Sequence, residues 1–295
     1  MIEQQVGTTR GTDAVLREEA VQAFRSRLRG ELLRPSDTAY DAARAIWNGM
    51  IDRKPALIAR CTGAADVIEA VNFARDNQVL LAVRGGGHNI AGHALCDGGL
   101  VIDLSGLRGI HVDPKTRTAR AQPGINWGDL DRETQVFGLA TPGGIVSTTG
   151  IAGFTLGGGF GWLSRKHGLT ADNLRSVDIV TADGRLLIAS ATENADLFWG
   201  VRGGGGNFGV VTSFEFQLHP VGPSVMAGMV LYPMEQAREV LHFYRDYAAS
   251  APDELTTLAL LRIAPRRRFC PSTSTANRWS VLPLVTPDRS RRASA

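Results

Sequence analysis

Apolar and polar positions change period several times along the chain, and those changes predict its elements. Residues 14–33 place apolar side chains at helical spacing and predict a helix, followed by a loop over 34–40 and a short element over 46–50. Residues 55–60 are a brief apolar run of strand type. Residues 64–77 set Val67, Val71 and Ala74 on one face with Ile68 beside them, which predicts a helix. Residues 79–83 predict a strand that runs straight into Arg84-Gly85-Gly86-Gly87-His88.

Short strands then alternate with glycine turns, at 100–104, 109–113 and 118–122, before a helix over 129–136 that stops at Gly138. Strands at 177–181 and 186–190 flank Ala182-Asp183-Gly184-Arg185, a hairpin signal. Residues 210–218 alternate as a further strand. Antiparallel pairs interspersed with helices predict an α+β domain, not a doubly wound sheet. After Pro220-Val221-Gly222-Pro223, a strand over 225–232, a helix over 234–250 and a strand over 254–263 predict the opening of a second domain. From Ala264 onward no periodicity is apparent, and one β-α-β unit is too little to close a core. The expected organisation is a helical lead-in over 1–50, a main domain over 51–221, a partial second domain over 222–263 and a basic, poorly ordered tail over 264–295. A truncated or altered chain is the expectation that goes with it.

Charge changes the picture only through its location. Of the net +3, residues 264–295 contribute seven arginines against Asp288, or +6, so the preceding residues sum to −3. No folded basic face with interleaved aromatics is visible, and nucleic acid is not an expected partner. Cys61, Cys96 and Cys270 are odd in number and lack metal-ligand spacing, which argues against a disulfide framework and against a metal site. No basic start followed by an apolar stretch is visible, nor any run of about 18 apolar residues, so a cytoplasmic protein with no membrane partner is expected.

Glycine is where the chemistry is concentrated, in patches at 84–99, 143–161 and 200–209. Gly85, Gly86 and Gly87 after a strand let successive backbone N–H groups converge as an anion-binding nest. A plain glycine turn carrying an exposed histidine is the alternative. Residues 141–162 form an uncharged, small-residue stretch able to lie flat against a large planar ligand, with Thr148 and Thr149 offering hydroxyls. A glycine-rich crossing inside the fold would read the same way. Gly204, Gly206 and Gly209 match G-x-G-x-x-G, but a strand follows where the dinucleotide fingerprint requires a helix, so that reading is rejected.

Together Arg84–His88, the Gly143–Gly161 segment and Gly204–Phe216 resemble the berberine-bridge-like branch of the vanillyl-alcohol-oxidase, or p-cresol-methylhydroxylase (PCMH) type, FAD-binding family. The resemblance implies a PCMH-type fold of two α+β subdomains with extended FAD between them. It also implies a covalent bond from His88 to the flavin 8α carbon. The implied cofactor contacts are Arg84, Gly85, Gly86, Gly87, His88, Asn89, Gly92 and His93 in the first segment. In the second they are Gly143, Gly144, Thr148, Thr149, Gly150, Gly153, Gly158 and Gly159, and in the third Gly209 and Val210. The implied activity is hydride transfer from an alcohol, sugar or amine C–H to FAD, with oxygen or another electron acceptor downstream; a truncated FAD-binding module without turnover is the other reading.

Many relatives attach FAD a second time through a cysteine where this chain has Val146, so a single attachment is expected. A histidine common after the glycine matching Gly153 is replaced by Phe154. Thr149 occupies the place of a residue that gates oxygen. The catalytic base of relatives lies beyond what this sequence offers, and no residue is assigned to that role.

Overall fold

A computed structural model describes residues 4–8, 13–262 and 278–285. Two sheets form the main body. The first is built on a β-α-β unit: strand Leu57–Arg60, helix Ala64–Asp76 and strand Leu81–Arg84, with Leu100–Asp103 inserted between the two strands and parallel to both. All four residues of Leu100–Asp103 are buried, as a central parallel strand covered on both faces requires. The helix buries Val67, Ala70, Val71 and Ala74 at the spacing of one face.

The predicted helix over 14–33 is not one element. Asp13–Leu16 pairs antiparallel with Gln4–Gly7, Glu18–Arg27 is helical, and Glu31–Leu33 joins the first sheet beside Leu57–Arg60. The reason is tertiary. Gly30 passes so close to the neighbouring strand that a Cβ would sit 1.9 Å from the Arg60 carbonyl oxygen. Its N–H and that of Arg29 are held by the buried Asp66 carboxylate, which also accepts from Thr62. These bonds outweigh the burial that would push the Asp66 pKa up, and hold it below the usual carboxylate range. Phe24 stacks on Phe73 at 4.3 Å, so the lead-in segment belongs to the first core. Residues 46–50 form no regular element; the short helix there is Tyr40–Arg44.

The second sheet is antiparallel, in the order Leu186–Ser190, Leu174–Val180, Val210–Gln217, Thr118–Ala121, Ile110–Asp113. The hairpin expected at 182–185 is present, with Gly184 at φ +82°. Helix Trp127–Gln135 opens with a reciprocal capping box between Asn126 and Asp129 and packs Trp127 and Leu130 into the second core. Val180 and Val210 cross into the first core and tie the two sheets together.

Beyond Pro220, strands Met226–Ala227 and Val230–Pro233 keep one register along Arg278–Val285, so the strand predicted over 225–232 exists with an interruption at Gly228-Met229. Helix Ala237–Ser250 follows, and Leu255–Arg262 pairs with the other edge of Arg278–Val285. The expectation of a poorly ordered tail is therefore corrected at Arg278–Val285, which is the central strand of this sheet. Its apolar residues gain strand partners on both sides, a tertiary gain that Pro283 in mid-run masks in the sequence. Other residues of the expected tail lie outside the described ones. The whole is α+β, as the alternating patterns predict. Among the described residues no helix is long and apolar enough to cross a membrane.

Candidate functional site

Strand Leu81–Arg84 delivers the chain into a loop with little freedom. A Cβ on Gly85 would meet the Pro123 carbonyl oxygen at 3.2 Å, and one on Gly86 would stand 2.5 Å from the Cα of Gly150. Gly87 then turns at φ +68° and Gly92 at φ +76°, the left-handed region that favours glycine. Asn89 uses its Oδ1 to accept from the His93 N–H at 3.0 Å, so its side chain closes the loop, while His93 stays exposed.

A brace from residues 43–48 holds this loop from outside. An Arg84 Nη1–H donates to the Ala43 carbonyl, the Trp47 N–H donates to Gly87 O at 3.1 Å, and Asn48 Nδ2 donates to Ile90 O at 2.9 Å. The Trp47 ring stacks on the His88 ring, with centroids 5.3 Å apart and planes 21° from parallel.

The second segment hangs from Trp127. The Trp127 N–H donates to Thr149 O at 3.0 Å and the Gly128 N–H to Ser147 O at 2.9 Å. Gly143 and Gly144 lie against the Trp127 ring, where a Cβ would fall 2.5 Å and 3.0 Å from ring atoms, so packing alone explains these two glycines. Gly158 and Gly159 have φ of +99° and +71°, and their carbonyls accept from Ala171 and Thr170. Gly153 faces open space, with nothing within 4 Å of a Cβ. Ile145, Val146, Ser147 and Thr148 are exposed and uncharged, and Thr149 is half-buried.

The third segment is joined to the second: the Gly203 N–H donates to Leu156 O at 3.0 Å. Gly209, at φ +144°, would place a Cβ 2.4 Å from Val180 O, and Val210 is buried in the first core. Both are thus accounted for by sheet packing. The structure therefore brings the His88 loop against Gly150 and Ala152 of the second segment, joins the third segment to the second through Gly203, and leaves the Val210 side chain turned into the core.

Four buried polar atoms in these segments have no hydrogen-bond partner among the described residues: Arg84 Nε, Trp127 Nε1, Thr141 Oγ1 and Thr155 Oγ1. Buried polar groups are rarely left so in a finished structure. The thiols are different. Burial pushes Cys96 up to about 11, and it pushes Cys61 higher still, with Asp66 and Asp103 adding to the effect. Neither is a thiolate near neutral pH. Among the described residues no cluster of three or more His, Cys, Asp or Glu could hold a metal. A cavity of about 360 Å³ elsewhere, lined by His111, Arg120, Gln122 and Asp178, contains none of the predicted residues, and its Arg120–Asp178 ion pair is already satisfied.

Trp47 was invisible to sequence reasoning. It lies 41 positions before His88, in a stretch with neither periodicity nor motif, and only the fold brings the rings together.

Residues 55–190 match a family model described as an FAD binding domain. The (R)-6-hydroxynicotine oxidase of Paenarthrobacter nicotinovorans is 42% identical over 205 residues, 70% of this chain and 45% of that protein. The crystal structure of 6-hydroxy-D-nicotine oxidase from Arthrobacter nicotinovorans matches with a TM-score of 0.78 at 36% identity, covering 88% of this chain and 55% of that one. A BBE-like protein of Physcomitrella patens matches with a TM-score of 0.81 at 26% identity, covering 92% and 57%. The chain spans about half the length of the curated relatives it matches.

Proposed function

The chain belongs to the FAD-linked oxidoreductases, in their PCMH-type, berberine-bridge-like branch, and from that membership we propose that it holds FAD covalently through His88 and oxidises a C–H bond of an alcohol, sugar or amine. The observation that carries this reading is the Gly86–Gly150 contact. It sets the histidine loop against the residue that ends an uncharged stretch whose residues 145–148 are exposed, a surface that a flat apolar ring system would cover.

The residues present fit FAD. Backbone N–H groups at Gly85, Gly86 and Gly87 suit a diphosphate, and Arg84 Nε is a buried donor without a partner on the same loop. Thr148 and Thr149 offer hydroxyls in the same segment as Gly153, whose open face has room for a ligand. Bound FAD supplies the two-electron acceptor; the protein supplies its orientation and environment.

His88 is the attachment residue in this reading. Neutral imidazole is a competent nucleophile near neutral pH. With FAD bound, attachment would join a His88 ring nitrogen to the 8α carbon, with one hydrogen lost from the imidazole and one from the methyl group and the two electrons taken up by dioxygen, which would leave as hydrogen peroxide. Val146 stands where a second attachment would need sulfur, and among the described residues the Cys96 and Cys61 thiols are buried and protonated, so neither competes with His88. In turnover the substrate gives up a hydride and a proton, and the electrons leave to dioxygen or another acceptor.

The test is the visible spectrum of purified protein before and after acid precipitation. Yellow colour that stays with the pellet, and moves to the supernatant in His88→Ala, is the expected result. Colourless protein would rule out FAD, and flavin released from the wild type would rule out the covalent bond. Anaerobic mixing with a panel of alcohols, sugars and amines, followed by loss of flavin absorbance, tests the oxidation itself.

A further inference from the structure

We infer that Trp47 is a positioning residue for His88, holding the imidazole in the orientation from which it joins FAD; this rests on the reading of His88 as the attachment residue. Trp47 is 61% exposed, so burial does not account for a tryptophan here. What its ring does touch is His88, face to face at 5.3 Å and 21°. An imidazole on a glycine loop would otherwise be free to turn about both of its side-chain bonds. A flat ring lying against one face limits that freedom, and a face-on neighbour does not use the nitrogens at the ring edge.

The stack is itself held in place. The Trp47 N–H is bonded to the Gly87 carbonyl, the residue next to the histidine, and Asn48 reaches past it to Ile90 O. Ile46 packs against Gly87, where its Cγ2 would lie 3.4 Å from a Cβ. Because the clamp uses the Trp47 backbone and the neighbouring side chains, replacing the indole leaves it intact. The ring therefore has a function separable from the loop's conformation.

Bond formation at His88 needs the nitrogen in line with one carbon, and a misplaced group loses rate steeply. Trp47→Phe keeps a flat face against the imidazole; Trp47→Leu keeps apolar bulk without one. Protein produced under riboflavin limitation is given FAD, quenched in acid at intervals and weighed intact, which counts the fraction carrying one FAD. Reversible FAD binding is measured in parallel in the His88→Ala background, with and without Trp47→Leu.

The expected result is attachment slowed on the order of tenfold in Trp47→Leu, near-normal attachment in Trp47→Phe, and unchanged reversible binding. Attachment at the wild-type rate in Trp47→Leu overturns the inference. So does equal slowing in Trp47→Phe, or a loss of reversible binding, which would make Trp47 part of the general FAD site. Wild-type protein that gains no covalent FAD at all removes the His88 reading, and this inference with it, before any variant is compared.

Discussion

A Cβ on Gly86 would stand 2.5 Å from the Cα of Gly150, and one on Gly150 would stand 2.6 Å from the Cα of Gly86. Backbone meets backbone where the loop after strand Leu81–Arg84 passes the start of helix Ile151–Leu156, and no flexible side chain is present to move aside. Gly86→Ala and Gly150→Ala should each destabilise the apoprotein by about 1–3 kcal/mol, the usual cost of overpacking. The backbone at Gly150 is ordinary, at φ −67°, so the contact and not the conformation sets the cost there. Urea denaturation of the apoprotein measures it. A neutral result at both positions would mean the loops do not touch.

Gly153 makes the opposite case. It lies in the helix Ile151–Leu156 with nothing within 4 Å of a Cβ. Alanine is favoured over glycine inside a helix by about 0.5–1 kcal/mol, so Gly153→Ala should leave apoprotein stability unchanged or slightly higher. If FAD covers this face, the same methyl group should lower flavin content. The pair of measurements separates a packing glycine from a ligand-facing one, and full flavin content in Gly153→Ala would place the cofactor elsewhere.

Attachment should occur once. Cys96 is buried in a cluster with Tyr40, Ile58, Leu95 and Val101, its thiol pushed up to about 11, so its thiolate fraction near pH 7 is negligible. Peptide mapping of the loaded protein should find flavin on the peptide containing His88 and on no other. A cysteine adduct would contradict both the Val146 departure and the burial of these thiols.

The local β-α-β unit, the 182–185 hairpin and the glycine segments were legible because each is written in nearby residues. Strand Leu100–Asp103 is an apolar run bounded by turns, and Gly184 sits where a tight hairpin turn requires positive φ. What escaped was set by residues distant in sequence. Asp66 draws Arg29 and Gly30 out of a helix that the spacing of 14–33 would otherwise extend. Arg278–Val285 is a strand because two other strands flank it. Within the site, the glycine pattern located the loops but not the reason for each glycine. Gly143 and Gly144 answer to Trp127, and Gly209 to Val180, so a glycine-rich ligand signature also records close packing. Trp47 had no local signal at all.

His167 and His219 stack with their rings 3.8 Å apart and 13° from parallel, and this pair should make stability depend on pH. Asn173 Nδ2 donates to the His167 and Leu169 carbonyls, so its Oδ1 faces His219 Nε2 at 2.6 Å, and His219 must carry its proton on that nitrogen. Burial, then His219 and Lys166, pushes the His167 pKa down to about 4, against the opposing pull of Glu254. Burial, then Arg117 and Lys166, lowers His219 as well. In the unfolded chain both titrate near about 6.5. Above that value both states are neutral and the pair contributes its full share of stability. As pH falls from about 6.5 toward 4, the unfolded chain takes up protons that the folded one refuses, so stability is lost across that window. The pair also lies beside the Lys166–Glu254 ion pair through which the final sheet is joined to this region. His167→Phe keeps a ring in the stack and removes one titration. Its urea-denaturation stability should therefore fall less between pH 7 and pH 5 than that of the wild type, other titrating groups being common to both. Equal losses would show that His167 takes up its proton as readily in the folded protein as in the unfolded chain.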